Sequence, residues 1–451
     1  MTAATFSRSP GRAAPGRSLA SVAERASPAV VAIFLLVLYF MAYRYPFQIG
    51  DSGTSPTYVD TPVALQVAKY VLLLPLALFV FLVSRGRELA IAKVDILVLI
   101  LMGYSALVGL VVVADGAPGA LGIVQFSFSL LLFLVFSEPS VTRRSFASWV
   151  RCLRIFFHVS LAVYAWHLGA YFLYERLPAL GYYGSFPRFG GVWDDPNSAG
   201  AVFMFMLPYV AAKAGMGRRT LLVGAATAAA VLLSQSLTTY AVVAAVFAIC
   251  LPLFYRSLPL QSRLLVLLLI LGLAVAFVSV ALFLVLSYVG LTWNGVIESM
   301  EVILESKQLS IALREESYGF APRITPLTLL GLDPVGEFGE NEWLNLLANL
   351  GLPFTAAYAV LQLLTLSHLW RWSTVAEPTQ VRPAVVGMFT VYLWFFLMQI
   401  NIPAAEVYPV NMIAAIIAGM AWAWRAGDVA RANAARLAAG RRARDGRGVP
   451  A

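Results

Sequence analysis

Apolar runs of about twenty residues recur along the chain, separated by short polar or charged segments. An α-helix needs about 20 apolar residues to cross the roughly 30 Å hydrocarbon core of a bilayer. The pattern predicts twelve such helices, near 29–43, 62–83, 95–114, 119–137, 152–174, 198–213, 219–234, 237–254, 264–288, 343–369, 384–400 and 407–424. Only Ser234, Gln235 and Ser236 interrupt the stretch 219–254, which also reads as one kinked or re-entrant unit. Residues 1–27 are rich in Ser, Ala, Pro and Arg and read as a disordered tail. No small-residue cleavage site closes the apolar run that follows, so that run predicts a retained span. Within the long segment before residue 342, Ile297, Met300, Leu304 and Ile311 share one helical face and Glu298, Glu301 and Glu305 another. This predicts a helix lying on the outer face of the bundle.

Composition turns the pattern into a fold class. The 451 residues are 60% hydrophobic and 12% charged, against about 45–50% and about 25% in soluble domains. A soluble multidomain enzyme, a disordered chain and a secreted disulfide scaffold are excluded. The predicted fold is all-α: a polytopic integral membrane protein of about 12 transmembrane helices. Two cysteines, Cys152 and Cys250, and three histidines argue against a disulfide framework or a Cys/His metal site.

Charge then sets orientation. With the N-terminus cytoplasmic, the cytoplasmic segments hold 25 of the 32 Lys and Arg residues and 7 of the 23 acids. The formal +9 becomes about +18 inside and about −10 outside. So one-sided a distribution predicts both termini in the cytoplasm. The expected organisation is a tail at 1–27, one transmembrane domain at 28–424 with outer loops 175–197 and 289–342, and a basic cytoplasmic tail at 425–451. That tail reads as an anchor on anionic lipid, not as a nucleic-acid site.

Two outer segments carry candidate chemistry. In the first, Arg188-Phe-Gly-Gly-Val-Trp193-Asp194-Asp195-Pro-Asn197 leads into a helix start. Arg188 is one of six outside basic residues, placed where an anion could meet a guanidinium and helix N-terminal amides. A loop–helix cap beside one surface arginine explains the same residues. In the second, Arg323-Ile-Thr-Pro precedes Leu330-Gly331 and then Gly339-Glu340-Asn341-Glu342-Trp343-Leu344. Asn345 and Asn349 follow at i, i+4 and are expected to face the bundle. An interfacial tryptophan with a polar first turn explains this group equally well. Asp194 and Asp195 are too weak a pair to argue for Mg²⁺, and no cofactor or metal is expected.

These pieces, in this order, resemble the superfamily of bacterial O-antigen ligases and O-antigen or exopolysaccharide polymerases. The resemblance rests on Arg188–Asn197, on the span opening Ser234-Gln-Ser-Leu-Thr-Thr239, on Arg323 leading to Gly331, and on Glu340-Asn-Glu-Trp-Leu344 with Gly351-Leu352. It covers roughly residues 180–370. The resemblance implies a GT-C-like glycosyltransferase membrane fold in the bacterial inner membrane, with the active face periplasmic. It implies undecaprenyl pyrophosphate-linked oligosaccharide as substrate, with a chain-length-determining copolymerase and a flippase as partners. Arg188 and Arg323, with Arg314 third, are expected to stabilise the pyrophosphate leaving group. Glu340, Glu342, Asp194 and Asp195 are candidate bases for the attacking sugar hydroxyl. Glu340 is favoured, because ligases of the superfamily carry His-Asn where this chain has Glu340-Asn341. That departure points to a polymerase more than a ligase. Gln235 is a second departure, standing where relatives often carry Arg. Asn197 and Asn341 are candidate substrate contacts, and Tyr182, Tyr183 and Trp193 candidate stacking platforms for sugars. Lys69 is expected to snorkel or line a cavity, and His158 and His167 to bond neighbouring helices. A lipid-linked sugar flippase or secondary transporter remains the rival, although no internal repeat is visible.

Overall fold

The computed structural model describes residues 28–40, 49–50, 63–85, 93–114, 120–174, 177–178, 182–183, 186–187, 321–335, 341–376, 381–400 and 410–445. Helices carry this structure. Helix α1 covers 28–40 and closes in a π-helical turn, Leu36–Phe40. It is followed by α2 (Val63–Arg85), α3 (Lys93–Ala114), α4 (Ala120–Phe136) and α5 (Pro139–Tyr174). A 3-10 turn (Ala321–Arg323) and the short α6 (Pro326–Leu329) lead to α7 (Glu342–Val375), α8 (Val381–Met398) and α9 (Val410–Asp445). Eight of the expected spans fall on these helices; those at 198–213, 219–234, 237–254 and 264–288 lie outside the described residues.

Among the described residues, four helices are long and apolar enough to cross a membrane: Lys93–Val111, Pro139–Val163, Glu342–Val375 and Val410–Asp428. Their surroundings agree with a hydrocarbon solvent. Val71, Leu72, Phe79 and Leu82 on α2, and Ile96, Ile100, Leu107 and Leu110 on α3, are exposed. Contiguous apolar faces of this size are rare on water-soluble monomers.

Two helices outrun their apolar windows. Helix α5 starts at Pro139, well before the expected span at 152. Proline suits a first helical position, and the Glu138 side chain accepts the Ser140 N–H at 3.3 Å as a cap. Val141, Trp149, Leu153 and Phe156 bury one face while Arg143 and Arg144 stay exposed on another. Hydropathy finds the part of a helix inside the membrane and misses an amphipathic first section. Helix α9 likewise continues through the basic segment to Asp445.

The core gathers around α4, whose residues Leu130–Phe136 are all buried. Helix α1 wedges in through Phe34, stacked 5.3 Å from Phe136 and 4.9 Å from Trp149 of α5. Ser105 and Ser127 join α3 to α4 by a 2.8 Å hydrogen bond, and Ser137 donates to Asp95 at 2.9 Å. Such bonds replace the water that buried polar groups lack in lipid. Helix α9 crosses α4 closely at Gly419, where a Cβ would stand 2.6 Å from the Phe133 carbonyl oxygen. Gly419→Ala is therefore expected to destabilise the bundle by about 1–3 kcal/mol, read as a lower Tm in detergent. Gly103→Ala, where nothing lies within 4 Å of the new methyl, should leave Tm unchanged or raise it slightly.

Small strands appear where the sequence predicted plain loops. β1 (Ile49–Gly50) pairs antiparallel with β2 (Leu177–Pro178), and β3 (Tyr182–Tyr183) with β4 (Phe186–Pro187). The first pair joins the segment after α1 to the segment after α5.

Candidate functional site

The best-defined polar centre lies where α7 begins. Asn341 is its N-cap: its side-chain oxygen accepts the Leu344 N–H at 3.0 Å. The same residue donates from Nδ2 to the Ile400 carbonyl at 2.9 Å, and the Glu342 N–H donates to the Gln399 carbonyl at 3.0 Å. Orphan donors at the start of α7 thus meet orphan acceptors at the end of α8. The pairing anchors the first turn of α7.

Helix α7 is broken. Gly351 has φ 81° and ψ 169°, a backbone conformation open essentially only to glycine. It divides a half-helix α7a (342–350) from α7b (352–375), and Pro353 sits in the first turn of the second part. The disturbed carbonyls find partners. Thr355 Oγ1 donates to the Gly351 carbonyl at 2.8 Å, and the Val335 N–H donates to Ala348 at 3.1 Å.

The break receives the Arg323 segment. After Arg323, Thr325 caps α6 by accepting the Thr328 N–H at 3.2 Å. Helix α6 ends in a Schellman turn: the Leu332 N–H donates to Leu327 at 2.9 Å and the Gly331 N–H to Thr328 at 2.9 Å, with Gly331 at φ 81°. Gly331 then lies flat on the break. A Cβ on Gly351 would come 2.5 Å from Gly331 N, and one on Gly331 would come 2.8 Å from the Leu350 carbonyl oxygen. Tyr104 of α3 donates its hydroxyl to the Gly331 carbonyl at 2.6 Å. Three separate stretches of chain are locked at one point.

The two faces of α7a differ. Glu342, Asn345 and Asn349 are fully buried, and Asn349 Nδ2 donates back to the Asn345 carbonyl at 3.0 Å. Beyond them Gln362 donates to Gln399 at 2.9 Å, and Tyr358 lies beside both glutamines and within electrostatic reach of Glu342. The other face borders an open groove of about 540 Å³ lined by Asn341, Trp343, Leu344, Leu347, Leu352 and Thr355. That volume suits a small-molecule or lipid-chain guest. The groove is apolar along its length, with Asn341 and Thr355 as its polar members.

No family model matches the chain, and no curated protein matches it.

Several expectations meet the structure here. Arg323 is exposed at the end of the 3-10 turn, and its segment is joined to α7a through Gly331. Asn345 and Asn349 face the bundle, as their spacing predicts. Glu342, a candidate base, is fully buried. As a first-turn residue it lies three positions before Asn345, on the buried side toward α8. Trp343 is half-buried and packs on Tyr358 at 6.1 Å and Phe396 at 5.9 Å. His158 was expected to bond a neighbouring helix; its Nδ1 instead lies 2.7 Å from the Arg154 carbonyl of its own helix. Tyr183 belongs to the β3–β4 pair. Arg188, Trp193, Asp194, Asp195, Asn197, Arg314 and Glu340 lie outside the described residues, as do the side chains of Lys69 and His167. Among the described residues no group of three or more His, Cys, Asp or Glu is placed to hold a metal ion.

Sequence reasoning missed Tyr104, Gln362 and Gln399. Each is a single polar residue in an apolar run, with no spacing pattern to single it out. Gly351-Leu-Pro353 inside a span was the available sign of the broken helix.

Proposed function

We propose that this chain is a membrane glycosyltransferase that joins undecaprenyl pyrophosphate-linked oligosaccharide repeat units into O-antigen or exopolysaccharide. In this reading it has twelve spans, both termini lie in the cytoplasm, and the reaction takes place at the periplasmic face of the bacterial inner membrane. The observation that carries it is the lock between the Arg323 segment and α7a. It joins the segment of the exposed Arg323 to a half-helix that carries the buried Glu342 on one face and borders an open apolar groove on the other. A polyprenyl pyrophosphate has the matching parts: an apolar chain, an anionic group and a reacting sugar at their junction.

In the proposed reaction a hydroxyl oxygen of one repeat unit bonds to the anomeric carbon of the other. The bond from that carbon to the pyrophosphate oxygen breaks, and undecaprenyl pyrophosphate leaves with the electron pair. Arg323, with Arg188 and Arg314, would stabilise the charge gathering on the leaving group. A carboxylate, Glu340 or Glu342, would take the hydroxyl proton. Asp194, Asp195, Asn197, Asn341, Trp193 and Tyr183 would hold the sugars.

Purified protein given lipid-linked repeat units should yield a ladder of polymer on a gel. Arg323→Ala and Arg188→Ala should each slow ladder formation by about 10²–10³-fold. Normal ladders in both variants would remove the arginines from the site. One observation favours the rival transporter: a broken helix with a buried carboxylate is the kind of element that lines transport sites. Proteoliposomes that move lipid-linked units across the bilayer, yet form no ladder, would decide for that reading. Transfer of a single glycan to a lipid A-core acceptor, without ladder, would decide for a ligase.

A further inference from the structure

At the far end of α7 from Asn341, arginines from three helices converge. Arg371 of α7 lies 3.7 Å from Asp428 Oδ2, and Arg425 of α9 donates to the same oxygen at 3.2 Å. Arg143 of α5 reaches across to α9, where a Cβ on Gly427 would stand 3.0 Å from its Nη2. Arg371 and Arg425 therefore share Asp428, and Arg143 stands against the neighbouring residue Gly427; among these described residues Asp428 is the one carboxylate beside three guanidinium groups. The cluster stays open: the Arg371 side chain is 56% exposed, and those of Arg425 and Asp428 are each 31% exposed.

The surroundings are ordered by polarity. An aromatic layer lies next to the arginines: Trp372 stacks on Trp424 at 5.6 Å, Phe146 meets Trp372 at 5.4 Å, and His368 stands edge-on to Trp422 at 4.5 Å. Nearer the middle of α7, Val360, Leu363 and Leu364 are exposed. Along α7 the order is thus arginine, aromatic rings packed between the helices, and then an exposed apolar face. It matches, level by level, the phosphodiester, the glycerol region and the acyl chains of an anionic phospholipid.

We propose that Arg143, Arg371 and Arg425 bind the headgroup of an anionic phospholipid whose acyl chains lie along Val360, Leu363 and Leu364. Guanidinium forks suit the oxygens of a phosphodiester, and these three stand along residues 425–428 of α9. Asp428 orients Arg371 and Arg425 while holding down the net charge. This site stands apart from the Asn341 end and does not depend on what is catalysed there.

The test uses the full chain in phosphatidylcholine micelles, with phosphatidylglycerol, additional phosphatidylcholine or inorganic phosphate added. Native mass spectrometry counts retained lipid, and a thermal melt reads stability. Phosphatidylglycerol should be retained in preference and should raise Tm. Arg371→Gln and Arg143→Gln should each lower its retention about fivefold. Arg371→Lys should keep part of it, and Asp428→Asn should increase it. The last sign matters, because a cluster acting only as a clamp between α7 and α9 would lose stability and gain no lipid in Asp428→Asn. Equal retention of phosphatidylcholine would overturn the proposal. So would a Tm shift given by inorganic phosphate alone, unchanged retention in Arg143→Gln/Arg371→Gln, or reduced retention in Asp428→Asn.

Discussion

Gly351→Ala is expected to lower the stability of the detergent-solubilised protein by about 3 kcal/mol or more. The backbone strain alone is worth about 1–3 kcal/mol, since φ 81° with ψ 169° is open essentially only to glycine. The new methyl would also stand 2.5 Å from the nitrogen of Gly331, a backbone atom held in a Schellman turn. It cannot swing aside as a flexible side chain would. Relief requires the Arg323 segment to lift from α7 and to give up the Tyr104–Gly331 and Val335–Ala348 hydrogen bonds. Proteolysis at low protease concentration should then cut first within 321–335. Tyr104→Phe removes one of those bonds without touching the glycines, and its cost should be smaller, about 1 kcal/mol. A Gly351→Ala protein with unchanged Tm and an uncut 321–335 segment would show that the two glycines are not interlocked.

Glu342→Gln is expected to separate stability from activity. The side chain is fully buried, between the end of α8 and Tyr358. Glutamine keeps its shape and most of its hydrogen-bonding capacity, so Tm should fall far less than in Glu342→Ala. If Glu342 takes the proton of the attacking hydroxyl, polymer formation should fall about 10²–10⁴-fold, with KM changed little. Glu340→Gln serves as the comparison, since the resemblance to O-antigen ligases sets it opposite their histidine. Loss of turnover in Glu340→Gln with full activity in Glu342→Gln would assign the base to Glu340 and leave Glu342 a structural residue.

The two constellations singled out in the sequence fare differently. The Arg323–Gly351 group is brought together by contacts that no local pattern encodes. Arg323, Gly331, Asn341 and Gly351 were visible as a motif, yet their spacing says nothing of Gly331 lying against the break. Nor does it reveal that Tyr104, 227 residues away from Gly331, closes the lock. Glu342 illustrates the same limit. Its place in a first helical turn predicts an acid favourable to the helix dipole and says nothing of its burial. The neighbouring end of α8 decided that the side chain would be buried.

What the sequence by itself determined is the helical, apolar character of the segments that the structure shows long enough to cross a membrane. Twenty-residue apolar runs and sparse charge follow from transfer energies that act residue by residue. Those energies are local, so they are legible in one dimension. Only the tertiary structure decided which polar groups meet. Backbone donors and acceptors left over at a helix end, or at a break such as Gly351, can be satisfied by any segment that comes near. In this chain the partners come from α3, from α8 and from the Arg323 segment. That choice depends on shape, on a missing Cβ at Gly331 and Gly351 and on a close crossing at Gly419, where the spacing of apolar residues carries no information.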